Sequence, residues 1–184
     1  MMIYTEITPN PDSLKFMTGK LIMRYGTADF SNEDQTEDAP LAKKLFNFTF
    51  VDRVFFGNTF ITITRKKDFQ WEEVIPVVKS FLKSYFASNQ EVVTGKYLEE
   101  IEEEENDTEV VKKIKEIINN SVRPAIAMDG GDIIFERFED GIVHLRLQGS
   151  CSGCPSSVFT LKRGVEGLLT RMIPEVKSVE AVNG

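Results

Sequence analysis

Donors for soft metals are scarce in this 184-residue chain, which has two cysteines and one histidine. A tetrahedral zinc site or an iron–sulfur cluster takes about four protein ligands, so one copy cannot complete a Cys/His set by itself. Long apolar runs are missing too. No uninterrupted stretch exceeds four residues, 125–128 being one, against the roughly 18 that a membrane-spanning helix needs. A helical membrane protein is excluded, and no membrane partner is expected. The opening Met1-Met2-Ile3-Tyr4-Thr5-Glu6 has neither the basic and apolar regions of a signal peptide nor the Arg- and Ser-rich character of a transit peptide. The expected location is cytoplasmic. Basic charge is not in excess: the net charge is -7 and the sequence pI about 4.9. That composition does not build a phosphate-neutralising surface, so no nucleic-acid partner is expected. No internal repeat joins the two halves.

What acidity there is sits in one place. Residues 1–88 carry 11 basic and 11 acidic groups, 89–109 one Lys against nine acids, and 110–184 ten basic and nine acidic groups. The run Glu99-Glu100-Ile101-Glu102-Glu103-Glu104-Glu105 repels itself and offers no apolar stripe. It reads as a linker, 89–107, between an N-terminal domain at 1–88 and a C-terminal domain at 108–184. The expected fold class is α+β, with two small α/β-sandwich-type domains joined by an acidic linker.

In the first unit, residues 3–8 read as a strand, and Pro9 and Pro11 force a turn before Leu14-Lys15-Phe16-Met17. Residues 26–39 are polar and read as loop. The β-rich runs 51–56 and 59–64, separated by Gly57-Asn58, predict a tight hairpin. Phe60, Thr62 and Thr64 fall on one face and Ile61 and Ile63 on the other. Trp71, Val74, Ile75, Val78, Phe81, Leu82, Tyr85 and Phe86 then recur at helical spacing, an apolar stripe that belongs against that sheet. Pro76 fits this helix only near its first turn or at a kink. No catalytic constellation stands out in this unit.

The second unit begins with Val110, Val111, Ile114, Ile117 and Ile118 on a helix that starts after Asp107-Thr108 and ends by Arg123, because Pro124 follows. Asp129-Gly130-Gly131-Asp132 reads as a turn. Strands at 133–138 and 142–148 meet at Asp140-Gly141, a strong hairpin signal. Ser156 or Ser157 is a candidate cap for a helix carrying Val158, Leu161, Val165, Leu168, Leu169 and Met172. That helix stops before Pro174, and 176–182 supply a last strand. The order is helix, strand, strand, helix, strand.

Cys151 and Cys154 lie in the strand-to-helix loop between these elements. Two intervening residues let both sulfurs face one point. The N–H groups and positive dipole end of the following helix favour thiolate over thiol. Four readings compete at this stage: half of a metal or iron–sulfur site, a redox dithiol, a structural disulfide, or two buried thiols, because the spacing is shared among them. A disulfide would close a very short loop and gain little. For the metal reading, the simplest completion is a two-fold dimer in which two loops contribute Cys151 and Cys154 twice. A site of that kind sits near the surface and empties as the dimer opens, which suits a carrier. His144 alternates with Arg146 and Gln148 on the polar face of its strand and reads as a surface histidine. Asp129 and Asp132 read as turn residues, with metal or partner contact as the functional alternative. Lys162 and Arg163 either offset an anionic cluster or are simply solvated.

Arg123-Pro124, Asp129-Gly130-Gly131-Asp132, Gly149-Ser150-Cys151-Ser152-Gly153-Cys154-Pro155-Ser156-Ser157 and Thr160-Leu161-Lys162 together resemble the C-terminal domain of NifU, which defines the Nfu-type iron–sulfur carriers. Upstream, Thr8-Pro9-Asn10-Pro11, Leu14-Lys15-Phe16, Pro40-Leu41-Ala42, Leu45-Phe46, Val54-Phe55-Phe56-Gly57 and Phe60-Ile61-Thr62 resemble the N-terminal domain of many Nfu proteins. The resemblance covers nearly everything but the acidic linker. It implies a non-enzymatic scaffold that holds a 4Fe-4S cluster between two chains, ligated by Cys151 and Cys154 of each. The cluster then passes to apo iron–sulfur proteins by ligand exchange. The chain departs from the family in having Ala39 before Pro40, where Ser is common, and in its long acidic joint. It lacks the cysteine-rich scaffold and ferredoxin-like parts of complete NifU, so upstream assembly proteins are expected to supply sulfur and iron. On the residues alone, a thiol–disulfide oxidoreductase is the alternative, disfavoured because a hairpin precedes the cysteines where a βαβ context is expected. A zinc-bridged interaction module is the third reading.

Overall fold

The computed structural model describes residues 1–100, 106–152 and 155–182, with the backbone alone at 155–157. Cys154 and the acidic run Glu102-Glu103-Glu104-Glu105 lie outside the described residues. The chain divides into two compact units, Met1–Ile101 and Glu102–Gly184, and each is α+β.

The first unit is an antiparallel sheet in the order β1-β2-β5-β4-β3, made of β1 (Tyr4–Ile7), β2 (Ser13–Met17), β3 (Ala28–Phe30), β4 (Val51–Phe56) and β5 (Phe60–Arg65). Alternation along the strands sends Leu14, Phe16, Val54, Phe56, Ile61 and Ile63 into one core. Helix α1 (Pro40–Phe46) adds Leu41, Ala42 and Leu45, and α2 (Trp71–Ala87) adds Val74, Val78, Leu82 and Tyr85. Pro76 sits inside α2, where it leaves the Glu72 carbonyl without its helical donor. Asn89, at φ 51°, takes the left-handed conformation that stops the helix.

Three local expectations change in this unit. Residues 26–39 are not all loop, because Ala28 and Phe30 alternate, are buried, and pair with β4 as an edge strand. The hairpin closes around Asn58-Thr59, one residue later than its Gly-Asn signal, with the Gly57 N–H donating to the Phe60 carbonyl at 3.0 Å. Beyond residue 88 the chain still packs on this unit: Val93 is buried in the core, and Val92 and Tyr97 lie against it. The Thr94 N–H donates to the Asp38 carbonyl at 2.8 Å, and the Tyr97 ring meets Phe30 edge-on at 5.9 Å. These apolar residues are few enough to be hidden by the surrounding acids in a composition count.

In the second unit, α3 (Glu109–Ile117) is capped by the Thr108 Oγ1, which accepts from the Val111 N–H at 3.3 Å. The helical path does not end at Arg123. It widens into a π turn at Ile118–Val122, closed by the Arg123 N–H on the Ile118 carbonyl, and continues as α4 (Arg123–Met128). Two pressures meet here. Ile114, Ile118, Val122 and Ile126 are all buried at intervals of four, which drifts by about 40° per step on a helix of 3.6 residues per turn. The wide turn takes up the drift, and it is where Pro124, lacking an N–H, enters the first turn of the next segment.

Strands β6 (Gly131–Glu139) and β7 (Ile142–Gly149) form an antiparallel hairpin around Asp140 and Gly141, both at positive φ as a type I′ turn requires. Gly131 and Asp132 belong to β6, not to the preceding turn. Helix α5 (Pro155–Met172) starts at Pro155, so Ser156 and Ser157 lie within its first turn and not ahead of it. It leads to β8 (Ser178–Val182), which pairs with β7 in parallel, giving the sheet order β6-β7-β8. The core joins Ile114, Ile118, Val122 and Ile126 to Ile133, Val143, Leu145, Val165, Leu169 and Val179.

Candidate functional site

The β7–α5 joint is built by its neighbours. Gly149 leaves β7 at φ 69°, a left-handed turn that side-chain-bearing residues rarely adopt, and its carbonyl accepts from the Ser152 N–H at 3.1 Å. Ser150 is tied to the α4–β6 turn twice: its N–H donates to the Gly130 carbonyl at 3.3 Å, and its Oγ to the Asp129 carbonyl. Cys151 follows, 6% exposed and part of the second core. Gly131 lies directly against it, since a Cβ there would stand 2.9 Å from the Cys151 Sγ and 2.6 Å from the Gln148 carbonyl oxygen.

The α4–β6 turn is pinned in its own right. Arg123 grips Asp132 with both ends of its fork, Nε to Oδ1 at 2.9 Å and Nη2 to Oδ2 at 2.7 Å, and Asp132 Oδ1 also accepts from the Ile133 N–H at 2.8 Å. Asp132 is 3% exposed. The hydrogen bonds to that carboxylate hold the Arg123 guanidinium above its ordinary pKa, against the opposing effect of burial. Asp132 is therefore the anchor of a structural ion pair.

A soft thiol donor seated ahead of a long helix suits an iron–sulfur species. Among the described residues, no three of His, Cys, Asp and Glu gather into a metal-binding group.

Residues 3–89 match the family described as "Scaffold protein Nfu/NifU N terminal" and 114–180 the "NifU-like domain". The mitochondrial NFU1 iron-sulfur cluster scaffold homolog of Homo sapiens is 44% identical over 183 residues, covering 99% of this chain and 72% of that protein. This chain belongs to the Nfu/NifU scaffold family. The mitochondrial NifU-like protein 4 of Arabidopsis thaliana is 42% identical over 185 residues, covering 98% of this chain and 65% of its own length. A solution structure of a NifU-like protein from Saccharomyces cerevisiae aligns at TM-score 0.46 and 26% identity, over 52% of this chain and 86% of that one. Both curated relatives are named mitochondrial. No helix among the described residues is long and apolar enough to cross a membrane.

Within this Nfu/NifU chain, the other residues singled out by sequence do not converge on Cys151. His144 is half-buried on β7, opposite Arg137 and Glu180, and the strand carries it about 17 Å from the cysteine end. Lys162, on α5, lines an apolar crevice with Leu147, Val165 and Val179. Arg163 lies over the exposed Phe159 ring at 5.6 Å. Asp129 contributes its backbone carbonyl, not its carboxylate. Arg123 is the residue that sequence reasoning passed over. It is the one base between Lys115 and Arg137, and nothing in the sequence pairs it with Asp132, nine residues on. The Nfu/NifU cysteine loop also proves to sit in a β7–α5–β8 parallel crossover, so the βαβ context expected of a redox motif is present. Family membership, not local topology, is what sets the oxidoreductase reading aside.

Proposed function

We propose that this Nfu/NifU chain holds a 4Fe-4S cluster between two copies, each supplying Cys151 and Cys154, and passes it to apo iron–sulfur proteins. It is an iron–sulfur cluster scaffold and not an enzyme, and the cluster is its cargo. What supports the reading is the seating of Cys151 at the β7–α5 joint of a family of scaffolds, with one chain supplying two thiols against the about four ligands a cluster takes. Two loops across a two-fold axis complete that number. The start of α5 presents N–H groups and a positive dipole end that favour thiolate and an anionic cluster.

Release proceeds by exchange. An incoming target thiol gives up its proton and replaces one carrier thiolate, which takes a proton in turn, so charge is conserved at each step. Upstream assembly proteins supply the cluster, and the N-terminal domain, 1–88 in the sequence reading, serves delivery.

Native mass spectrometry of the anaerobically reconstituted chain tests this. The expected species is a dimer carrying one 4Fe-4S unit, lost on Cys151→Ala or Cys154→Ala. A zinc-bearing dimer would replace the reading with a structural interface. A metal-free monomer that only gains or loses a disulfide would replace it with dithiol chemistry.

A further inference from the structure

We propose that Arg123 and Asp132 are positioning residues for Cys151, setting how firmly its thiol is held without touching the cluster. The inference rests on Cys151 being a cluster ligand. The bidentate pair at 2.9 and 2.7 Å fixes the start of β6, and Asp132 adds the bond to its neighbour's N–H. One residue earlier, Gly131 forms the surface against which the Cys151 Sγ packs. Gly130 and Asp129 supply the two carbonyls that hold Ser150, the residue before the cysteine. These contacts seat the loop on residues 129–131, between the pair's acid and the helix bearing its base. The π turn aims that base, since its closing bond is made by the Arg123 N–H itself, and Arg123 Nη1 also donates to Asn119 Oδ1 at 3.2 Å. Supports one step removed from a ligand commonly change metal affinity by about 10–100-fold.

The test uses the full chain and two readouts. In a Cys154→Ser background Cys151 is the one thiol, and its alkylation by iodoacetamide is followed without cluster. Arg123→Lys keeps the charge and loses the fork. Asp132→Asn keeps the shape and is the second variant should the first fold poorly. Each is expected to raise the alkylation rate about tenfold through local opening of the loop. In the otherwise wild-type chain, each is expected to speed cluster loss to a chelator about tenfold. Val165→Ala, a core truncation elsewhere in the unit, is the control. If it raises alkylation as much as Arg123→Lys at matched thermal midpoint, the pair acts only through global stability and the proposal falls. Unchanged alkylation in both pair variants also overturns it. Cys151→Ser isolates the underlying reading: full cluster loading in that variant removes Cys151 as a ligand whatever the pair does to alkylation.

Discussion

Gly131 faces Cys151 so closely that a Cβ on the glycine would lie 2.9 Å from the cysteine Sγ, with the Gln148 carbonyl oxygen at 2.6 Å on its other side. The second neighbour is backbone and cannot swing away. Gly131→Ala is therefore expected to push β7 and the cysteine loop outward, costing about 1–3 kcal/mol in unfolding free energy. Cluster retention should fall with it. Chemical denaturation and iron-to-protein ratio after reconstitution read the two effects separately, and a variant of normal stability and normal loading would contradict the packing argument.

Cys151 belongs to the apolar core as well as to the site. Replacing it with Ala removes a buried sulfur, for which about 1 kcal/mol of lost stability is expected, while the unit stays folded. Cluster binding should disappear altogether. Circular dichroism with the charge-transfer absorbance of the reconstituted protein distinguishes these outcomes.

The two compact units predict where the chain can be cut. A fragment of residues 106–184 should fold and bind cluster, since its core draws on no residue of the first unit. Transfer to at least some target proteins should be impaired. Cutting at 88 instead strands Val92, Val93 and Tyr97 without the core they pack against, so a fragment of 89–184 should associate or precipitate more readily. Light scattering on the two fragments makes the comparison.

Burial holds the Tyr85 and Tyr97 phenols above their ordinary value of 10.0, with Glu91 reinforcing the effect at Tyr85. Tyr85 Oη also donates to the Glu91 carbonyl. A raised phenol stabilises the fold fully below its unfolded pKa and loses that contribution as pH climbs through the folded value. The first unit should accordingly keep its stability up to about pH 10 and weaken above it. Absorbance at 295 nm should show Tyr85 and Tyr97 ionising together with loss of structure.

Much of this architecture is written in periodicity. Alternation along 60–65 and the stripe from Trp71 to Phe86 foretold β5 and α2, because each turns an apolar set toward the first core, although Phe60 and Thr62 on the other face of β5 are buried as well. Edges were less legible. β3 is three residues long, too short for alternation to register, and only its pairing with β4 makes it a strand. Pro124 stood as a helix stop because a local rule sees a missing N–H and not the wide turn that accommodates it. At the site, the spacing of Cys151 and Cys154 was plain, and so was the glycine-rich turn. The grip of Arg123 on Asp132 spans nine residues and two elements, a relationship that exists only once the helix and sheet are docked.

The wide turn at Ile118–Val122 makes chain length itself a functional variable. Each residue added to a helix rotates everything beyond it by about 100°, so inserting one beside Asn120 would swing the Arg123 guanidinium away from Asp132. A conservative substitution at the same position leaves that phase intact. Asn120 and Ser121 thus behave as a gauge block between the start of the unit and its cysteine loop, tolerant of side-chain change and intolerant of added length, while Ile118 and Val122 are held by the core.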